Sequence, residues 1–251
     1  MLSKKILFLN WKANPSNLKE AEVLVETTNH LALLVKDELD IIIAPPPVYL
    51  LSLNHLLTSG IQLASQTVDV TTNGPHTGSI YPALLKENNI GITLVAHSED
   101  RAKKQLTSEQ ISDLLDACLK NNLKAVLCVG EYQKGDEAIK EIIKDLNSIL
   151  EPLITKYPIT FIVNNVDIAY EPLWAIGTQQ ILDLSYLATQ LSAIKDYLIT
   201  KLTSSPHLFY GGSVSKDNLK EILALQEVDG VLIGERSSQK EWLEELFRSV
   251  I

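Results

Sequence analysis

The sequence predicts an α/β protein, a single-domain (β/α)8 barrel with eight parallel strands. Three observations carry that expectation. Short apolar runs alternate with longer amphipathic segments along the 251 residues, the runs number eight, and no GxGxxG turn follows the first of them. The alternation alone also suits an open doubly wound sheet, but a dinucleotide fold would place its phosphate turn after strand 1. Eight βα units fill this length as one closed core, with no linker or composition break to divide residues 1–251.

The predicted strands are residues 6–10, 40–44, 61–65, 93–96, 125–129, 166–170, 207–210 and 230–233. They are apolar without strict alternation, as parallel strands covered on both faces should be. Leu18, Ala21, Leu24, Val25, Thr28 and Leu31 recur at three- and four-residue steps and predict a helix over 17–35. Thr107 ahead of Ser108-Glu109-Gln110 is a capping-box signature for a helix reaching about residue 122. The same periodicity predicts helices over 137–150, 185–202 and 217–225, the last capped by Ser215, and a terminal helix over 239–250.

Composition bounds the function. With 45% apolar residues the chain can bury a large core, which excludes general disorder. Its net charge of −9 argues against a nucleic-acid binder, although a small anionic substrate needs only local positive potential. Cys118 and Cys128 are too few for a disulfide framework and form no zinc motif, so a reducing cytoplasm is the expected setting. The run Ile6-Leu7-Phe8-Leu9 after Lys4 and Lys5 is too short for a signal segment, and no stretch approaches a membrane span.

A barrel places its chemistry at the C-terminal ends of the strands. Strand 1 ends in Asn10-Trp11-Lys12, strand 4 in His97-Ser98-Glu99, and strand 6 in Glu171-Pro172. Strands 7 and 8 end in Gly211-Gly212-Ser213 and Gly234. Each alone has a plain structural reading: a solvated lysine, a structural histidine, a surface loop, turn glycines. Together they set a cation, an imidazole, a carboxylate and a backbone anion grip on one face. The set suits proton abstraction beside the carbonyl of a small phosphate ester and needs no metal or cofactor. A helical turn after His97 would disfavour the protonated ring. Pro172 and Gly177 flank a loop that could carry Trp174 and Ile176 over the site as a lid.

With these residues in view the chain resembles the triosephosphate isomerase family, whose fold is the TIM barrel. The matching segments are Asn10-Trp11-Lys12-Ala13-Asn14, His97-Ser98-Glu99, Cys128-Val129-Gly130-Glu131, the lid region Ala169 to Thr178, and Tyr210-Gly211-Gly212-Ser213-Val214. The resemblance implies interconversion of dihydroxyacetone phosphate and D-glyceraldehyde 3-phosphate through an enediolate, a step of glycolysis and gluconeogenesis. It implies Glu171 as the base, neutral His97 as the acid, Lys12 as the cation, Asn10 as its orienting neighbour and Glu99 as a carboxylate beside the lysine. Backbone amides of Gly177, Ser213, Gly234 and Glu235 would hold the phosphate. The lid would be Pro172, Leu173, Trp174, Ala175, Ile176, Gly177 and Thr178. A homodimer is implied, with the loop after strand 3, from Gln66 to its tip at Thr77, reaching into the partner's site.

Several positions depart from the family pattern. Glu235-Arg236 stands where a glycine and an alanine are usual, Ala96 replaces a glycine, Asp100 replaces a basic residue, and Gln179-Gln180 follows the lid. A carboxylate near a phosphate dianion is repulsive unless its side chain points away, and Arg236 can offset it. Two other readings share the fold: a phosphosugar epimerase or lyase, and a silent barrel that binds a metabolite. Neither needs the combination of Lys12, His97, Glu171 and this lid.

Overall fold

A computed structural model describes residues 4–135, 137–175 and 183–250. Within it the eight strands are β1 (Lys5–Asn10), β2 (Leu39–Ala44), β3 (Ile61–Ser65), β4 (Ile92–Val95), β5 (Lys124–Val129), β6 (Val166–Tyr170), β7 (Leu208–Tyr210) and β8 (Gly230–Ile233). Each lies within one residue of its expected bounds. All neighbours pair in parallel and β8 returns to β1, so the sheet closes into a barrel.

Closure explains why the strands read as continuous apolar runs. Successive side chains point to opposite faces, and here both faces are buried. Phe8, Ile42, Ala64, Leu94, Val126, Cys128, Ala169, Phe209 and Leu232 form one cluster. Their sequence neighbours, such as Leu7, Leu9, Ile41, Ile43, Leu127 and Ile168, belong to a second cluster with the helices. The first cluster fills the barrel and the second forms the layer between barrel and helices.

The long expected helices are present as Leu18–Leu34, Ser108–Lys120, Ala138–Ile154, Leu184–Leu202 and Lys240–Arg248. Thr107 and Gln110 form the expected capping box, Thr107 Oγ1 accepting the Gln110 amide and Gln110 Oε1 accepting that of Thr107. The helix expected over 217–225 is confined to Leu219–Leu223, because Ser215 Oγ accepts the Asp217 amide in a preceding turn. The units after β2 and β3 carry the short helices Leu50–Asn54, which a 3-10 turn Pro47–Tyr49 precedes, and Pro82–Glu87, all too brief to show a helical period. The unit before β6 adds Ile159–Asn165.

Candidate active site

The inward rows of the barrel continue past the strand tips. Asn10 follows Phe8 by two residues and is buried, and its Oδ1 accepts the Lys12 amide at 3.1 Å. Lys12 adopts a left-handed backbone, φ 54°, a conformation an L-residue keeps only when its surroundings hold it. Gln66, two residues beyond Ala64 of the inner row, supplies that hold. Its Nε2 donates to the Lys12 carbonyl at 2.7 Å and to the Ala44 carbonyl at 2.9 Å. The ammonium of Lys12 then lies 2.5 Å from Glu99 Oε1.

His97 enters the site by a break in the alternation. By period it should face the helices, as the residue after Ala96, but Ala96 is left-handed at φ 57° and turns the chain over. His97 then caps the helix Ser98–Lys104, its Nδ1 accepting the Glu99 amide at 3.3 Å. That acceptor role puts the proton of the neutral ring on Nε2, which stands 3.1 Å from Glu171 Oε1. Burial opposes protonation of the ring, but the charge and hydrogen bond of Glu171 outweigh it and raise the His97 pKa. The helix N-terminus therefore acts as expected on Nδ1 while the carboxylate works against it.

Glu171 continues the row of Ala169 and is buried. Its amide donates to the Val129 carbonyl at 2.7 Å, and its Oε2 accepts the Ser98 amide at 3.0 Å. The flanking strands end in glycine at the same level. A Cβ on Gly130 would stand 1.8 Å from the Glu171 carbonyl oxygen, and one on Gly211 2.8 Å from its Cγ. Beside it, Cys128 is buried and its thiol is pushed well up, mainly by burial, so it is no nucleophile.

Of the expected lid, Pro172, Leu173, Trp174 and Ala175 are described, whereas Ile176, Gly177 and Thr178 lie outside the described residues, as do Gln179 and Gln180. The root of that segment is tied to Glu131. Leu173 N donates to the Glu131 carbonyl at 3.0 Å, and Trp174 Nε1 and the Tyr170 hydroxyl both donate to Glu131 Oε1, at 2.7 and 2.9 Å. Lys134 lies over the rings of Trp174 and Tyr186. Ser213 Oγ donates to the Ala175 carbonyl at 3.2 Å, joining the segment to the turn after β7.

Asn10, Lys12, His97, Glu171, Ser213, Gly234 and Glu235 all line one cavity of about 490 Å³. Seven sequence-expected residues thus meet in one space, with Glu99 attached through Lys12. The side chain of Glu235 is exposed, and Gly234 opens a short turn, Glu235–Ser238. Thr77 is exposed and lies away from that cavity. The loop that carries it is closed at its base by the Asp69 amide on the Ile80 carbonyl, 2.7 Å, and the Ile80 amide on Asp69 Oδ2, 3.0 Å. The anchoring of Glu171 by Ser98 and of Lys12 by Gln66 was not foreseen, although Gln66 stands at the inward period of β3.

The model of the triosephosphate isomerase family matches residues 5–250. The chain is 33% identical over 244 residues to a triosephosphate isomerase of Coprinopsis cinerea, covering 94% of each. It is 35% identical over 248 residues to one of Wigglesworthia glossinidia brevipalpis, covering 96% of this chain and 94% of that one. A third, from Mycoplasma pneumoniae, is 30% identical over 237 residues with 93% of each covered. With a closed eight-stranded barrel, a carboxylate and an imidazole in contact at its mouth, and similarity along nearly its whole length, the chain belongs to the triosephosphate isomerase family.

Proposed function

We propose that Glu171, His97 and Lys12 carry out the isomerase reaction of the family, the reversible interconversion of dihydroxyacetone phosphate and D-glyceraldehyde 3-phosphate. One observation carries this assignment: Glu171 and His97 touch at 3.1 Å inside the cavity that Lys12 also lines. Glu171 exchanges its bonds to Ser98 and His97 for the substrate and takes the proton from C1 of the ketose. The C–H electron pair becomes the C1–C2 double bond, and the carbonyl pair moves to oxygen. The Nε2–H of His97, freed from Glu171, donates to that oxygen. The C1 hydroxyl proton passes by way of His97 to the C2 oxygen, the C1 oxygen pair closes the new carbonyl, and return of the proton from Glu171 to C2, onto the former double-bond pair, completes the aldose. Lys12, braced by Asn10 and Glu99, supplies positive charge to the enediolate. The amides of Gly177, Ser213, Gly234 and Glu235 bind the phosphate, and closure over Pro172–Thr178 excludes water.

A coupled assay in the glyceraldehyde 3-phosphate direction tests the assignment. Glu171→Ala should lower kcat by at least about a thousandfold, the scale of a lost general base. Glu171→Asp, which withdraws the carboxylate by one methylene, should cost about a hundredfold. A Glu171→Ala enzyme within tenfold of the parent would refute the base.

The same reading makes the protein a cytoplasmic homodimer. Support comes from the exposed loop carrying Thr77, from the exposed apolar side chains Val48, Leu51 and Val70, and from two buried free cysteines suited to a reducing compartment. Sedimentation at micromolar concentration should give twice the 27.8 kDa chain mass. A species of the single mass would overturn the dimer.

A further inference from the structure

We propose that Arg236 is a side-chain ligand of the substrate's phosphoryl group. The inference rests on the reading of the cavity as a triose phosphate site. The charged groups that line that cavity, His97 aside, are Lys12, Arg236, Glu171, Asp217 and Glu235. A phosphate dianion entering there meets three carboxylates. Of the two cations, Lys12 is already held 2.5 Å from Glu99. Among the described residues Arg236 has no carboxylate in ion-pairing reach, neither the adjacent Glu235 nor Asp217, and it is the lining cation left unneutralised. A guanidinium at the rim of an acidic cavity that has collapsed on neither neighbour is available for an incoming anion, and its planar fork matches two phosphoryl oxygens.

Its position suits that role. Arg236 belongs to the turn that starts at Gly234, and the Lys12 chain packs against that glycine, where an added Cβ would stand 3.1 Å from Lys12 Cε. Both cations therefore flank the strand-end backbone to which the phosphate grip is assigned. Ser237, next in the turn, is buried and donates its amide to the Gly234 carbonyl at 2.9 Å, fixing the residue that precedes the free backbone of the grip.

The test measures KM for D-glyceraldehyde 3-phosphate, and Ki for inorganic phosphate as a competitive inhibitor, in the full-length enzyme, Arg236→Ala and Arg236→Lys. Arg236→Ala should raise both constants by at least about fivefold, with Arg236→Lys between it and the parent, since lysine keeps the charge and loses the fork. A rise below fivefold in either constant for Arg236→Ala overturns the proposal, including the case in which only kcat falls. Arg236 is exposed, and an unchanged thermal midpoint will confirm that the variants are folded. If the parent enzyme does not isomerise triose phosphates, the reading of the site fails. If it does and Arg236→Ala binds phosphate as before, only this inference fails.

Discussion

His97 Nε2 and Glu171 Oε1 lie 3.1 Å apart, so the two groups assigned to handle the substrate's protons are bonded to each other in the free enzyme. Burial alone would lower the imidazole pKa, and contact with the Glu171 carboxylate raises it instead. A raised native pKa adds stability that is complete below the unfolded value and is lost as pH rises through the native one. Glu171→Gln removes the charge and leaves burial, the largest influence, and Lys12 opposed only by the smaller pull of Glu99. The His97 titration followed by NMR should then move from above the ordinary histidine value to below it. An unchanged midpoint would show that the pair is not coupled.

Glu131 anchors the start of the segment after β6 with a single oxygen, Oε1, which accepts from both Tyr170 and Trp174. Burial raises its pKa against the pull of those hydrogen bonds. Because ionisation is the disfavoured form, its contribution to stability declines as pH rises through the native pKa. Glu131→Gln keeps an acceptor for Tyr170 and Trp174 and removes that slope. Glu131→Ala instead strands the buried Tyr170 hydroxyl, at about 1–3 kcal/mol, and the half-buried Trp174 indole at less. Denaturation curves should therefore place parent and Gln variant together in acid, the Gln variant above the parent once Glu131 ionises, and the Ala variant well below both; equal stability of all three would contradict the anchor.

The strands were legible because a closed barrel buries both faces of each, leaving apolar runs of the right length between helical periods. The same period of two also marks the site. Phe8 leads to Asn10, Ala64 to Gln66, and Ala169 to Glu171, each pair on the inward row. What escaped that pattern did so for physical reasons. His97 faces inward only because Ala96 adopts a left-handed backbone, which no periodicity announces. The bond from Ser98 to Glu171 joins the ends of β4 and β6, residues 73 apart in the chain. The helices Leu50–Asn54 and Pro82–Glu87 are shorter than two turns and carry no readable stripe.

Gly130 and Gly211 hold Glu171 in place by having no side chains. A Cβ on Gly130 would penetrate the Glu171 backbone, 1.8 Å from O and 2.6 Å from C, and only a shift of the β6 tip could relieve it. Gly130→Ala should cost about 1–3 kcal/mol of stability as overpacking and, with Glu171 as the proposed base, lower kcat at least tenfold through the displaced carboxylate. A Cβ on Gly211 would meet the Glu171 side chain, which can rotate, so Gly211→Ala should keep most stability and lose mainly kcat. Urea denaturation beside steady-state kinetics separates the two; a Gly130→Ala enzyme with parental kcat would sink the argument.

At the opposite end of the inward rows, two residues before Val126, Ala169 and Phe209, stand Lys124, Asp167 and His207. Asp167 is buried, with Lys124 Nζ at 2.8 Å from its Oδ2 and His207 Nδ1 at 3.4 Å from its Oδ1. The hydrogen bond to Asp167 raises the His207 pKa against burial, with Lys124 opposing and Asp229 assisting. A raised histidine stabilises the fold in acid, fully below its unfolded pKa, and the gain disappears as pH climbs through the native value. Asp167→Asn removes this gain and breaks the Lys124 pair, for which about 2–3 kcal/mol is expected because the half-buried ammonium regains some water. The stability gap between parent and variant should be wider at about pH 5.5 than at about pH 8.5, where only the Lys124 pair still separates them. Urea denaturation at the two pH values reads it directly, and a gap that widens with rising pH would show that His207 draws nothing from Asp167.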